Sequence, residues 1–465
     1  MSTVEASGLP EERGVRADHV HDLLLAGETE RLAGLLSELH PSDLADLVEE
    51  LDEDDRVILL ELLPAELASE TLAEMESEEH PEELLASLEP ERIGELIAEL
   101  SDDDAVDLIG ELPPEEQARI LASLPRLEAG ELRRLLQYDE ESAGGIMTTE
   151  LVAVSVHLSA GEAIEEVRRQ ARELGGEFYS IFVVDLLRRL LGTVTIQELV
   201  LADPKSPLRE LVEPPVTTVP VDMDQEEVGR IIARYNIPSV PVVGPDNVLL
   251  GRVTWDDVID VLEAEQTEDI LRLGGVVSEE EVRGGWAEAV RSRLPWLFIN
   301  LLTAAVAASV VGIFIDTIES VAVLAVIMPV IAGMGGNSGT QTLAVTVRRL
   351  ALTQESEARR WGVVAKELLV GLVNGAALGG CVAAVSYLLG LVAPGYWPAT
   401  PMLGVVVLLA MWGNLVVASL AGAFVPILLE RMGVDPAIAS SIFVTTFTDL
   451  AGFFLLLGLA SALLL

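Results

Sequence analysis

The spacing of apolar residues changes character three times along this chain. From Ala17 to Ser142 leucines recur at intervals of three and four, the pattern of short amphipathic helices. Pro41, Pro64, Pro81, Pro90, Pro113 and Pro125 mark helix starts and turns between them. From Phe178 to Leu262, β-branched runs alternate with helical stretches. After that, long apolar segments take over, and five reach the roughly 20 residues a bilayer crossing needs: 294–315, 321–345, 361–392, 402–429 and 437–465. Residues 1–16 follow no such pattern and are expected to be disordered. Residues 267–293 are amphipathic and predicted to form a connecting helix, which either transmits motion to the spans or merely spaces them.

Two internal repeats refine this division. Glu50–Met75 (ELDEDDRVILLELLPAELASETLAEM) aligns 49 residues on with Glu99–Leu124 (ELSDDDAVDLIGELPPEEQARILASL), so residues 17–142 are predicted to stack as an all-α superhelical domain. Two copies are fewer than a free solenoid needs, which implies that this domain leans on its neighbours. Further on, FYSIFVVD and LLGTVTIQELV recur about 60 residues later as IPSVPVV and LLGRVTWDDVIDVL. Strand, turn, strand and helix occurring twice resembles a tandem CBS pair, here residues 143–205 and 206–266. In the second copy Gly251, Thr254 and Asp257 match the G-x-x-T-x-x-D signature of that family, and the resemblance makes Thr254 and Asp257 candidates for holding ATP. In the first copy Gly192 and Thr195 match, Glu198 replaces the Asp, and Leu186-Leu187 follow Asp185 where a polar turn is usual. A nucleotide-binding pair and a purely structural pair stand as equal readings.

Charge separates the two halves. The net charge of −47 falls entirely on the first 290 residues; residues 291–465 hold eight acids and eight bases. Such acidity would repel nucleic acid. It reads either as a cation-facing surface or as a solubility device. Arg291 and Arg293 precede the first apolar segment, Arg348, Arg349, Arg359 and Arg360 lie between the second and third, Lys366 opens the third, and Arg431 follows the fourth. The loops around 316–319 and 393–401 hold none, so the acidic half is expected in the cytoplasm and the C-terminus outside. No secretory signal is expected at the polar N-terminus. The single cysteine, Cys381, permits no intrachain disulfide. His19, His21, His40, His80 and His157 are scattered without a nucleophile partner, and no enzyme is expected.

Two apolar segments carry polar chemistry. The second contains PVIAGMGGNSGTQT (329–342), whose proline and glycines are expected to break regular helix, while Asn337, Thr340 and Gln341 offer oxygens and amides to a hydrated ion. Tight packing of small residues is the equal alternative. In the fifth, Ser441, Thr445, Thr448 and Asp449, with Gly452, recur at helical spacing. A carboxylate at that depth costs about 2.5–3.5 kcal/mol on insertion scales and usually marks an ion or proton path. A buried Asp449 hydrogen-bonded by Asn414 is the bland alternative. The soluble half has its own acidic constellation. Asp256, Asp257, Asp260, Glu263, Glu265, Glu268 and Asp269 form one run, Asp222, Asp224 and Glu226 open the helix of the second CBS unit, and Asp103 and Asp107 lie in the second helical repeat. Each acid alone reads as solvated surface charge; the cluster carries the argument.

PVIAGMGGNSGTQTLAVTVRRL (329–350) and DPAIASSIFVTTFTD (435–449), behind an acidic helical domain and a CBS pair, together resemble the MgtE family of magnesium channels. The resemblance implies a multidomain membrane protein: an all-α superhelical N domain, an α/β tandem CBS pair and an α-helical transmembrane domain of five spans at 294–465. It further implies a plasma-membrane homodimer with one pore built from the second and fifth spans of both subunits, with Asp449 as selectivity carboxylate and Asp435 near the inner mouth. Mg²⁺ is implied both as cargo and as the ion that closes the pore by joining the acidic cytoplasmic faces. Ser441-Ile442 departs from the Gly or Asn followed by Pro expected there. Independently, Mg²⁺ dehydrates reluctantly and is often held through its waters by few carboxylates. A cation-coupled secondary transporter and a non-conducting nucleotide-sensing receptor are the competing readings.

Overall fold

A computed structural model describes residues 16–174, 178, 180–276, 286–352, 357–393, 397–398 and 400–465. The expected disorder of residues 1–16 thus concerns almost only residues outside those described, as does the middle of the expected connecting helix. The chain divides into two compact units, Met1–Glu263 and Ala264–Leu465.

The first unit opens with ten short helices among the described residues, α1 (Ala17–Ala26) to α10 (Glu128–Leu135). Several start where proline occupies the first helical positions, where its missing N–H costs nothing; Pro41, Pro81, Pro90 and Pro114 serve this way. Leucines and isoleucines face inward: Leu32, Leu44, Leu59, Leu72, Leu85, Leu96, Ile109, Ile120 and Leu132 are among those fully buried. Each contributes on the order of 1.5–3 kcal/mol by burial. The same core runs on into Val219, Val228, Val240, Val253 and Val258 of the second α/β repeat. The helical domain therefore does lean on its neighbour.

The α/β part holds two matching three-stranded sheets. β1 (Ala153–Ser155) pairs parallel with β2 (Ile181–Val184), which pairs antiparallel with β3 (Leu190–Val194). β4 (Val219–Pro220), β5 (Ser239–Val243) and β6 (Leu249–Thr254) repeat this order. Crossovers run through α11 (Ala160–Leu174) and α13 (Gln225–Tyr235), while α12 (Ile196–Leu201) and α14 (Trp255–Gly274) follow the third strands. The signature glycines are steric necessities: a Cβ on Gly192 would sit 2.3 Å from the Glu213 carbonyl oxygen, and one on Gly251 2.6 Å from that of Thr148. The β2–β3 turn forms despite its two leucines. The Asp185 carboxylate accepts from the backbone N–H of Leu187 (2.8 Å) and Arg189 (2.9 Å), and Arg188 takes a φ of 59°.

The second unit is helical: the end of α14, then α15 (Trp286–Ile313), α16 (Ile315–Ser320), α17 (Leu324–Leu352), α18 (Glu357–Val392), α19 (Pro401–Arg431) and α20 (Pro436–Leu463). Among the described residues four stretches are long and apolar enough to cross a membrane: Ala289–Ile313, Trp361–Val392, Pro401–Arg431 and Ser441–Leu463. The expected second span, α17, has the length (29 residues), but its glycines, Asn337, Ser338, Gln341 and threonines dilute its apolar character. The break expected there is absent; α17 runs without interruption through Pro329 and the glycines. Its glycines serve close packing instead, since a Cβ on Gly339 would meet Val444 at 2.4 Å. α19 is the central helix, packed against α17, α18 and α20. Leu403, Val406, Val407, Ala410, Met411 and Leu415 on α19 are buried in the bundle.

Candidate ion path and acidic sensor

α17 has two opposite faces. Thr342 and Thr346 are buried, the Thr346 hydroxyl donating to the Thr342 carbonyl at 2.8 Å. Asn337, Thr340 and Gln341, at helical spacing, form an exposed polar face on a helix otherwise set in an apolar bundle. On α20, Phe443 and Phe447 are exposed, whereas Ser441, Thr445 and Asp449 are partly buried. The Thr445 hydroxyl donates back along its own helix, to the Ser441 carbonyl at 2.9 Å or the Ile442 carbonyl at 3.1 Å.

One expectation needs correction here, and the bland alternative for Asp449 loses its named partner. Thr448 is not part of the accessible stripe: it is fully buried against Gly335, and its hydroxyl donates to the Thr445 carbonyl at 2.9 Å. A helix advances about 100° per residue, so Thr448 and Asp449 cannot share a narrow face. Nor does Asn414 hold Asp449; its Nδ2 donates to the Ile331 carbonyl on α17 at 2.9 Å. A second intramembrane acid was also missed. Glu367 lies within the Trp361–Val392 stretch and is buried, its Oε2 accepting from Thr342 at 3.4 Å and its Oε1 lying 3.2 Å from Lys366 Nζ. The Lys366-Glu367 dipeptide inside an apolar run was the signal.

At the foot of the second unit, Arg272 on α14 forms ion pairs with both Glu268 and Asp435. The guanidinium therefore stands between two carboxylates expected to hold metal. Glu265 and Asp269 lie on the same helix, both partly buried.

In the first unit the start of α8 (Asp102–Gly110) faces the start of α14. Ser101 caps α8, its hydroxyl also donating to Asp104 at 2.7 Å. Asp103 is buried, and burial followed by the charge of Asp104 pushes it up to about 6. Asp107 is raised to about 7 by desolvation, then by Asp103, Asp104 and Asp257. Asp257 is likewise raised to about 7, by desolvation and then by Asp103 across the interface. Glu150 reaches about 7 through desolvation and the charges of Asp102 and Asp103. Asp104 and Asp260 are raised in the same way, with Glu74 among their neighbours. Sequence reasoning named Asp103, Asp107, Asp257 and Asp260 but missed Asp104, Glu150 and Glu74. Only the SDDD run hinted at the first. Among the described residues no three His, Cys, Asp or Glu side chains are arranged to hold a bare metal ion. The chemistry of the cluster, carboxylates crowded enough to retain protons near neutrality, fits a cation held through its waters.

Other expected ligands have local work. Asp224 caps α13, accepting from the N–H of Glu226 (3.0 Å) and Glu227 (3.3 Å), and Glu226 pairs with Arg230. Thr254 bonds to Asp257 through both its hydroxyl and its backbone N–H. Thr195 and Glu198 form the matching capping box of α12. The G-x-x-T-x-x-D signature is thus a helix cap as it stands, and a nucleotide would have to share those groups.

Known proteins match this architecture. A family model described as divalent cation transporter matches residues 328–459, one for the MgtE intracellular N domain residues 39–141, and the CBS domain model residues 143–205 and 208–264. The magnesium transporter MgtE of Thermus thermophilus is 39% identical over 451 residues, covering 96% of this chain and 98% of that one. That of Enterococcus faecalis is 36% identical over 334 residues, 72% of each chain. Among solved structures, the cytosolic domain of the Mg²⁺ channel MgtE in complex with ATP is 37% identical with a TM-score of 0.50, covering 53% of this chain and 99% of that one. With helical domain, CBS pair and membrane helices all accounted for over nearly the whole length, the chain belongs to the MgtE family of magnesium transporters.

Proposed function

We propose that this multi-pass membrane protein conducts Mg²⁺ down its gradient through a path lined by α17 and α20 of two subunits, with Asp449 as the selecting carboxylate. The observation that carries this reading is the exposed polar face of Asn337, Thr340 and Gln341 on α17, together with partly buried Asp449 on α20, which packs against α17 in an otherwise apolar bundle. Lipid is a poor neighbour for those groups, and a second copy enclosing a wet path is a good one. α17 then serves as the fifth crossing. Two Asp449 carboxylates would recognise the ion through its water shell, which Mg²⁺ keeps more firmly than larger divalent ions. Bases beside the first, third and fourth segments favour a plasma-membrane orientation with the acidic unit in the cytoplasm and the C-terminus outside.

The same proposal makes the acidic first unit the sensor. Asp103, Asp104 and Asp107 face Asp257, with Glu150 and Asp260 nearby; Mg²⁺ between them would offset their repulsion and favour the closed form. Glu265, Glu268 and Asp269 extend that acidic line along α14. A relative's cytosolic domain was solved with ATP, and Thr254 and Asp257 are the groups that would hold a nucleotide here.

Liposome flux tests the path. Asp449→Asn keeps size and hydrogen bonding but loses charge, so Mg²⁺ uptake by the folded protein should collapse or lose preference for Mg²⁺ over Ca²⁺. Flux should also proceed in wild type without a Na⁺ or H⁺ gradient. Selective uptake in the folded Asn variant, or strict dependence on such a gradient, would overturn the reading.

A further inference from the structure

Asn414 is a fully buried amide in the membrane unit. It has no exposed surface on α19, the central helix, and lies where α17 and α20 meet. Its Nδ2 donates to the Ile331 carbonyl of α17 at 2.9 Å, while its Oδ1 is buried with no hydrogen-bond partner among the described residues. An amide in that position is costly; leucine would fill similar space with no orphaned oxygen. Both walls of its slot are glycine. A Cβ on Gly335 of α17 would stand 2.2 Å from Nδ2, and one on Gly452 of α20 would stand 2.9 Å from it. Gly335 precedes Asn337 by two residues, about 200° round α17 from it, and Gly452 lies about one turn after Asp449, so the amide packs behind the exposed polar face and separates α17 from α20 next to the turn that carries the carboxylate. Thr448, buried beside Gly335, closes the same contact. The Ser419 hydroxyl, another buried polar group of α19, faces Gly371 of α18 and lies on the wrong side for this task.

We propose that Asn414 is a positioning residue, whose amide, clamped between Gly335 and Gly452 and tied to the Ile331 carbonyl, sets the separation of α17 and α20 beside Asp449 and thereby the ion discrimination of the path. The inference rests on the reading of Asp449 as the selecting carboxylate. Coupling of this kind is carried by packed side chains whose arrangement an introduced methyl or a lost hydrogen bond displaces. It predicts that damage from the α20 side, through Gly452→Ala, has the same signature as damage to the amide itself.

The test uses the full-length protein in liposomes, with Mg²⁺ and Ca²⁺ as separate probes. Asn414→Leu should lower the ratio of Mg²⁺ to Ca²⁺ flux about fivefold or more, the scale expected for residues sharing one contact. Half-inhibition by Mg²⁺ on the side of the soluble unit should stay near its wild-type value. Gly452→Ala should lower the ratio similarly, and it remains informative if Asn414→Leu does not fold. Asn414→Ala combined with Gly452→Ala lets the new methyl occupy vacated space, so the pair should retain more discrimination than the product of the single effects. A wild-type ratio in both single variants, or loss of total flux that tracks melting temperature at an unchanged ratio, overturns the positioning role and leaves Asn414 as packing. Asp449→Asn serves as the separate control. If it transports selectively, the path itself has been misplaced, whatever Asn414 does.

Discussion

Asp103 is a carboxylate folded into a protein interior opposite other carboxylates, and its proton has to answer to that surrounding. Its pKa is raised to about 6, and those of Asp107 and Asp257 to about 7, chiefly by desolvation. An acid raised above its unfolded value of about 4 binds its proton more tightly when folded, so ionisation opposes folding. That cost is absent below about pH 4, grows as pH rises towards 7, and is complete above it. In Mg²⁺-free buffer the soluble region through Gly274 should therefore melt higher near pH 5 than near pH 7.5. Millimolar Mg²⁺ should remove most of the difference, and Asp257→Asn should raise the melting temperature at the higher pH. A melting temperature that rises with pH in Mg²⁺-free buffer would contradict the assignment. Such residues were half legible. Asp103, Asp107 and Asp257 stood out as part of acidic runs, whereas Glu150 and Glu74 join the cluster only once distant segments meet. Thr448 was misread because spacing alone does not resolve the 100° step between neighbours on a helix. Glu367 was overlooked, and it yields its own prediction. Its oxygen accepts from Thr342 and its charge is answered by Lys366. Glu367→Gln preserves an acceptor, so uptake should persist near wild type. A proton-coupled carrier using this acid would instead lose transport, measured as flux under an imposed pH gradient.

At the scale of elements, α17 and α14 teach opposite lessons. The glycines and Pro329 in α17 suggested a broken helix, yet an unbroken one forms because the glycines let α19 and α20 approach and supply packing in return. Composition could not choose between a break and a close contact; only the neighbours decide. For α14 the amphipathic pattern was readable, but its tie to the residue preceding α20 was not. Arg272 pairs with Glu268 one turn away and with Asp435, 163 residues on in sequence. A guanidinium between two carboxylates competes with any divalent ion for them, and removing one partner of a close charge group leaves the others repelling. Arg272→Gln should make the two acids better Mg²⁺ ligands and worse neighbours without it. Patch recordings should show a higher open probability at zero internal Mg²⁺ and half-closure at several-fold lower Mg²⁺. An unchanged inhibition curve would make Arg272 a surface pair of little consequence.

Across the whole molecule the order of modules was legible because each carries its own period: short leucine helices, duplicated strand-turn-strand-helix units, and long apolar segments. The repeat count implied that the helical domain leans on a neighbour; what it did not reveal was that the second CBS repeat is that neighbour, with one core running from Leu32 and Ile109 through to Val228 and Val258. This decides how the proposed sensor should be tested. Deleting residues 1–142 would uncover those valines, and any change in gating would be mixed with loss of folding. Replacing Asp103, Asp104 and Asp107 together by asparagine leaves the shared core in place and removes charge from one side of the interface alone. Neutral amides lose both the repulsion and the attraction for a cation, so open probability at zero Mg²⁺ can shift either way, while its dependence on Mg²⁺ must weaken. Conduction should survive, because the path is carried by the membrane helices. The expected record is a flattened closure curve in patches, with single-channel current at low Mg²⁺ like that of wild type. If the triple variant closes over the wild-type Mg²⁺ range, the acids of α8 are ordinary surface charge and regulation belongs to the line from Asp257 to Asp269. If it stops conducting while folded, the two units do more than switch one another, because the soluble unit would then be holding the path open.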